Sequence, residues 1–224
     1  SASYDDLRTL SSASSSLKKQ SGEFTEISGN YGFAFDKRNR KFMPTDGHII
    51  NFRQGLPLVA DTRSLSNNFR YRTYHSFSEN VVTAVKVYGA SVNAFGNDDV
   101  RLSKRLKLGR QYLRGFEAGK VGPKDGTDYI GGNYAAALNL EASLPNLLPE
   151  GTETDVSIFM DAANLWHVDY SSTVEDSNKI RSSVGIASNV YTPVGPLSFV
   201  IAQNLSKADT DETQTFNFQI GTSF

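Results

Sequence analysis

At 224 residues, with a formal net charge of −1 and no cysteine, the chain is long enough for one sizeable domain or a large piece of a barrel. The charge balance leaves no basic footprint for nucleic acid, and the lack of cysteine excludes disulfides, thiolate metal sites and thiol nucleophiles in this chain. No apolar run approaches the roughly 18 residues of a membrane-spanning helix, which leaves barrel strands open because they alternate lipid-facing and lumen-facing residues.

Residues 1–22 are Ser-rich ("SSASSSLKKQSG") with no signal-peptide pattern, and they read as an extracellular loop or a ragged fragment end. From Glu23 onward the dominant period is two, the signature of strands with unlike faces. In 23–36, Ile27, Tyr31, Phe33 and Phe35 oppose Glu26, Ser28, Asn30 and Asp36. In 47–56, Ile50, Phe52 and Leu56 oppose Asn51 and Arg53. In 65–77, Leu65, Phe69, Tyr71 and Phe77 oppose Asn68, Arg70, Arg72 and Tyr74; in 81–93, Val81, Val85 and Val87 oppose Lys86 and Tyr88. A long polar segment, 95–131, follows. Then 133–145 sets Tyr134, Leu138 and Leu140 against Asn139 and Glu141, and 153–166 sets Val156, Ile158 and Met160 against Asp155, Ser157 and Asp161. Three tracts close the chain: Ile180 to Val190, Leu197 to Ile201, and Phe216, Phe218, Ile220 and Phe224. The chain is therefore all-β, with about nine antiparallel strands and no helix between them.

Period two alone fits both a soluble sandwich, whose apolar faces form the core, and a transmembrane barrel, whose apolar faces meet lipid. Three features favour the barrel. Charges sit in mid-strand on the polar faces (Arg70, Arg72, Lys86, Glu141, Asp155, Asp161), where a wet lumen lets them pair. Short connections ("FSEN", "TPVG") alternate with long ones (95–131, 167–179), and aromatics gather near tract ends.

Other chemistry is thin. His167, Asp169 and Ser171 lie in one polar loop at a spacing that cannot stack into a triad. His48, His75 and His167 are scattered and make no metal-ligand pattern. No cofactor and no catalytic residue is expected. "DKRNRK" (36–41) reads as a solvated turn; "SKRLKLGR" (103–110) as a solvated loop or a contact for anionic lipid headgroups and lipopolysaccharide.

Four ordered motifs carry a resemblance: "LRGF" (113–116), "GGNYAAALNLEASLP" (131–145), "IFMDAANLW" (158–166) and the terminal "FNFQIGTSF". With the upstream "YGFAFDKRNRKFMPTDG" (31–47), they resemble the BamA family of outer-membrane assembly factors, within the BamA–TamA (bacterial surface antigen) superfamily. The resemblance covers nearly the whole chain from about residue 23. It implies the C-terminal part, strands eight to sixteen, of a sixteen-stranded barrel in the bacterial outer membrane. The POTRA domains and first strands are absent from this chain, and 95–131 is an inward-folded loop. It implies that Arg114 of the RGF motif meets Glu141 and Asp161 in the lumen, although Ala163 stands where the family's motif usually has glycine.

Parity agrees, since Glu141 and Asp161 both lie on polar faces, and a guanidinium fork suits two carboxylates better than an ammonium. Gly115 permits a sharp turn, and Leu113 and Phe116 wedge the loop tip. The last strand, with Phe216, Phe218, Ile220, Gly221 and the terminal Phe224, is similar to the C-terminal signal of such barrels. It would form one side of a lateral seam, weakened at Gly221, where unfolded barrel substrates pair by β-augmentation. The implied function is assembly of β-barrel proteins, not enzymatic, with accessory lipoproteins and membrane lipids as further partners and no nucleic acid. The alternative is a two-partner-secretion or TamA-type transporter of the same superfamily.

Overall fold

The computed structural model describes residues 1–96, 98–145, 147–148, 154–169, 174–176, 178–192 and 195–220, with the backbone alone at 15, 16, 191 and 196. Its main sheet has ten antiparallel strands: β1 (Ala2–Leu7), β2 (Gly22–Asp36), β3 (Gly47–Ala60), β4 (Ser64–Ser78), β5 (Val81–Ala94), β8 (Tyr134–Ser143), β9 (Thr154–Trp166), β10 (Arg181–Thr192), β11 (Gly195–Ser206) and β12 (Phe216–Ile220). Neighbours in the sheet follow chain order, and the two-residue β6 (Lys124–Asp125) and β7 (Asp128–Tyr129) form a separate hairpin. Among the described residues the sheet is open, with β1 and β12 at its edges.

The faces decide between sandwich and barrel. Phe33 (60%), Ile158 (52%), Ile186 (55%) and Ile201 (61%) are exposed, whereas Asn139, Ser157, Asp161 and Ser183 are at most 2% exposed on the opposite face. A soluble sandwich would bury the first set, and a contiguous apolar exterior of this kind needs lipid to cover it. The same face carries paired aromatics, Phe33 against Phe52 and Phe199 against Phe218, across neighbouring strands.

Three elements differ from the sequence reading. Residues 1–22 are not all loop: β1 pairs with Gly22–Ile27 of β2, which makes ten strands where nine tracts were counted. Its sequence, ASYDDL, alternates only Ala2 and Tyr4, too short a run to announce a strand. It is held by its ladder bonds to β2. A short helix α1 (Ser15–Lys19) follows, where no helix was expected, and Ser14 caps it by accepting the Leu17 N–H at 3.1 Å. β3 also runs four residues past the expected 47–56, through Pro57, because a register shift at Ile27/Ser28 makes room for a residue without an N–H.

The core lies inside the sheet's concave face and is built from loop 95–131. Leu108, Tyr112, Leu113, Phe116 and Val121 are buried against Tyr88, Ala90, Ala135, Ala137, Ala163 and Leu165. The wall is lined with alanine because a loop must fit against it: in "YAAAL", Ala135 and Ala137 face the loop while Ala136 faces out. Tyr88 and Tyr112 stack with centroids 3.9 Å apart.

Candidate functional site: the loop tip and its lumen contacts

The tip of loop 95–131 carries Leu113, Arg114, Gly115 and Phe116, and the structure brings it onto β8, β9, β10 and β11. Arg114 forks onto Asp161 of β9, with Nε to Oδ2 at 2.8 Å and Nη2 to Oδ1 at 2.7 Å, while its backbone N–H donates to Oδ2 at 3.0 Å. Its remaining terminal nitrogen donates to Glu141 of β8 at 3.0 Å. Lys86 of β5 donates to the same Glu141 oxygen at 3.0 Å, so two cations face two carboxylates. The guanidinium carbon lies 3.6 Å from the centroid of the Phe159 ring, a contact that shields the fork from water. Gly185 makes room for that ring: a Cβ there would fall 2.7 Å from Phe159 Cζ.

The three polar residues named from the sequence (Arg114, Glu141, Asp161) thus meet, and the two apolar ones, Leu113 and Phe116, are both 2% exposed beside them. Gly115 has φ +84°, and a Cβ on it would lie 2.9 Å from the Ala202 Cβ, so both backbone and space exclude a side chain there. Ala163, at the position of the family's usual glycine, is buried in the apolar cluster beside the loop.

Several contributors were missed at the sequence level. Ser183 donates to the Arg114 carbonyl at 2.6 Å, Asn204 to the Gly115 carbonyl at 2.8 Å, and Asn139 to the Tyr112 carbonyl at 2.9 Å. All three are small polar residues on lumen-facing parity, a signal present in the sequence but without a partner to attach it to. Segment 207–215 also folds onto the loop: Gln214 N–H donates to the Gly115 carbonyl at 3.0 Å, and Phe116 bridges Thr213. The cations of 103–110 are largely used internally. Arg105 donates to the Val100 carbonyl, Lys104 pairs with Glu26 at 2.9 Å, Arg110 donates to Gln214, and Lys107 is exposed. In 36–41, Arg38 forks on Asp36 and Arg40 donates to the Met43 carbonyl, which fixes the turn 37–46. Asp169, beside His167 at 3.8 Å, accepts from the Val100 N–H and from Asn133 and so organises loops.

The last strand's named residues divide. Phe216, Phe218 and Ile220 are exposed on the outer face of β12, whose only neighbour among the described residues is β11. Gly221 and Phe224 lie outside the described residues.

Comparison with known proteins agrees with this geometry. The Omp85 superfamily domain matches residues 1–224. The outer membrane protein assembly factor BamA of Neorickettsia risticii is 26% identical over 217 residues, covering 95% of this chain and 29% of that protein. The BamA of Neisseria meningitidis is 32% identical over 139 residues, 50% of this chain and 17% of that one. The sorting and assembly machinery component 50 homolog of Bos taurus is 26% identical over 166 residues, 70% and 35% of the two chains. The crystal structure of BamA from Haemophilus ducreyi lacking POTRA domains 1–3 superposes with a TM-score of 0.80 at 27% identity, over 88% of this chain and 42% of that one. The chain spans less than half the length of each of these relatives.

Proposed function

This chain belongs to the Omp85 superfamily, and from that premise we propose that it is the C-terminal part of an outer-membrane insertase barrel that assembles β-barrel proteins. The observation that carries the reading is the loop tip pinned across β8 to β11, with Arg114 forked on Asp161 and donating to Glu141; on this reading the last strand, β12, is the edge at which the parent barrel opens. An incoming strand of the same alternating pattern gains main-chain hydrogen bonds on such an edge, and its outward residues continue the lipid-facing surface. The work is mechanical and involves no bond-breaking step. The relatives found carry assembly names in bacteria and in animals, which supports assembly over the secretion-transporter alternative.

On this reading the partners are unfolded outer-membrane barrel proteins, with accessory lipoproteins on the side of the short turns. Lys107, exposed in the long loop, is the residue of 103–110 left for lipid phosphate or lipopolysaccharide. The loop tip supports the wall behind the edge: Arg114, Glu141 and Asp161 hold loop 95–131 inside the barrel and keep β8 to β11 in one register. Photo-crosslinking tests the assignment. A probe at Gln219 of the full-length parent captures unfolded barrel proteins in transit, and one at Leu138, on the distant wall, does not. Equal capture at both positions, or none at Gln219, overturns it.

A further inference from the structure

Behind the edge strand lies a second ion pair that the loop-tip motif does not include. Arg181, the first residue of β10, and Asp211, in the segment joining β11 to β12, have side chains that are both 0% exposed. Arg181 Nε lies 3.0 Å from Asp211 Oδ2, and its Nη2 donates to Oδ1 at 3.0 Å. Its other terminal nitrogen donates to Asn164 Oδ1 at 2.9 Å and to the Lys179 carbonyl at 2.8 Å. Asp211 Oδ2 also accepts the Ala208 N–H at 2.6 Å, which closes a tight turn. A pair this deep is costly to desolvate and is retained only where the geometry satisfies both partners.

What the pair holds is the short segment that enters β12. From Thr210 to Gln214 the chain is stitched to loop 95–131: Tyr129 donates to the Thr210 carbonyl, Glu212 N–H to the Lys120 carbonyl at 3.0 Å, and Glu117 N–H to the Glu212 carbonyl at 3.0 Å. Gln214 N–H donates to the Gly115 carbonyl at 3.0 Å, one residue from Arg114. Burial, with the Glu212 and Asp211 carboxylates close by, pushes the Tyr129 hydroxyl up to about 12, so it donates at any physiological pH. The start of β12 is thus held by this clasp as well as by its ladder to β11.

We infer that the Arg181–Asp211 pair is a latch that positions the loop-side end of the edge strand and couples it to the Arg114 loop tip. With the latch closed, β12 is presented in one register; with it open, segment 207–215 lifts from Gly115–Lys120 and β12 frays from the loop side. Arg181 and Asp211 are positioning residues, acting on an incoming strand through β12. The inference rests on the edge-strand reading for its purpose, while its physical content is the coupling of 207–215 to β12.

Amide hydrogen exchange on the full-length parent in lipid nanodiscs tests it without any substrate. Asp211→Asn removes the charge and keeps the shape. Exchange across 212–220 should accelerate about 100-fold, with β5 and β8 unchanged. Tyr129→Phe, which removes the single bond to the Thr210 carbonyl from the clasp, should accelerate the same segment about tenfold. It serves as the second variant if Asp211→Asn does not fold. Unchanged exchange in 212–220, or equal acceleration in β5 and β8, overturns the latch. Failure of the insertase reading shows elsewhere, as normal barrel accumulation when the parent is depleted.

Discussion

Asp161 and Glu141 both accept from Arg114, yet their removal should differ sharply. Asp161 is 0% exposed in its side chain and takes three donors from Arg114: Nε, Nη2 and the backbone N–H. Removing it leaves a guanidinium buried on one side with nothing to fork onto, the situation that costs about 3–5 kcal/mol when one partner of a buried pair is lost. Glu141 is 16% exposed and shares its oxygen with Lys86. Without it Arg114 keeps its fork and Lys86, 24% exposed, turns to water, so the loss is that of a charged hydrogen bond, about 1.5–3 kcal/mol. At 1.4 kcal/mol per tenfold, Asp161→Ala should raise the open population of the loop by about 100- to several-thousand-fold, and Glu141→Ala by about 10- to 100-fold. Trypsin cleavage within 95–131, on the full-length parent in lipid, reads that population when reclosing is faster than cutting. Equal cleavage rates for the two variants, or a larger effect of Glu141→Ala, would refute the reasoning from burial.

Arg114→Lys should open the loop by roughly 2 kcal/mol, within the range for Glu141→Ala and below that for Asp161→Ala, because one ammonium cannot reproduce the fork on Asp161 while reaching Glu141; the same cleavage assay reads it. Gly115→Ala should destabilise the loop by about 1–3 kcal/mol, from φ +84° and the 2.9 Å approach to Ala202, and Ser183→Ala by about 1 kcal/mol. Leu113→Ala, at a side chain 2% exposed, should cost about 2–5 kcal/mol through the cavity it leaves, measured as the temperature at which the folded gel band disappears. Ile186→Arg, in the middle of β10 on the outer face, should cost about 2–4 kcal/mol in lipid, an effect that shrinks for the same change at Ile180, beyond the strand.

Much of the wall was legible because period two is a local signal. Phe33, Phe52, Phe69 and Val87 share the outer face, and each has its neighbour in the adjacent strand or one step from it. The loop tip was legible for a different reason. Parity put Glu141 and Asp161 on inward faces, and the RGF motif supplied the cation that meets them. What escaped was pairing without a pattern. β1 has too short an alternation to declare itself and is a strand because it pairs with Gly22–Ile27. Arg181 opens β10 with no pattern around it, and its partner Asp211 lies 30 residues on, across a loop. The contacts of Gly115 with Gln214 and Asn204 span about ninety residues or more and leave no trace in local sequence. Local periodicity reports which face a residue takes; which loop lands on that face is decided by packing volume, here by Ala135, Ala137 and Ala202 leaving room for it.

The central claim, that this barrel assembles other barrels, is tested most directly by depleting the full-length parent in its own cell and quantifying outer-membrane proteins. The account predicts a broad fall in unrelated β-barrels, with their unfolded forms accumulating in the periplasm. Normal barrel levels with the loss of a single secreted protein from the medium would contradict it.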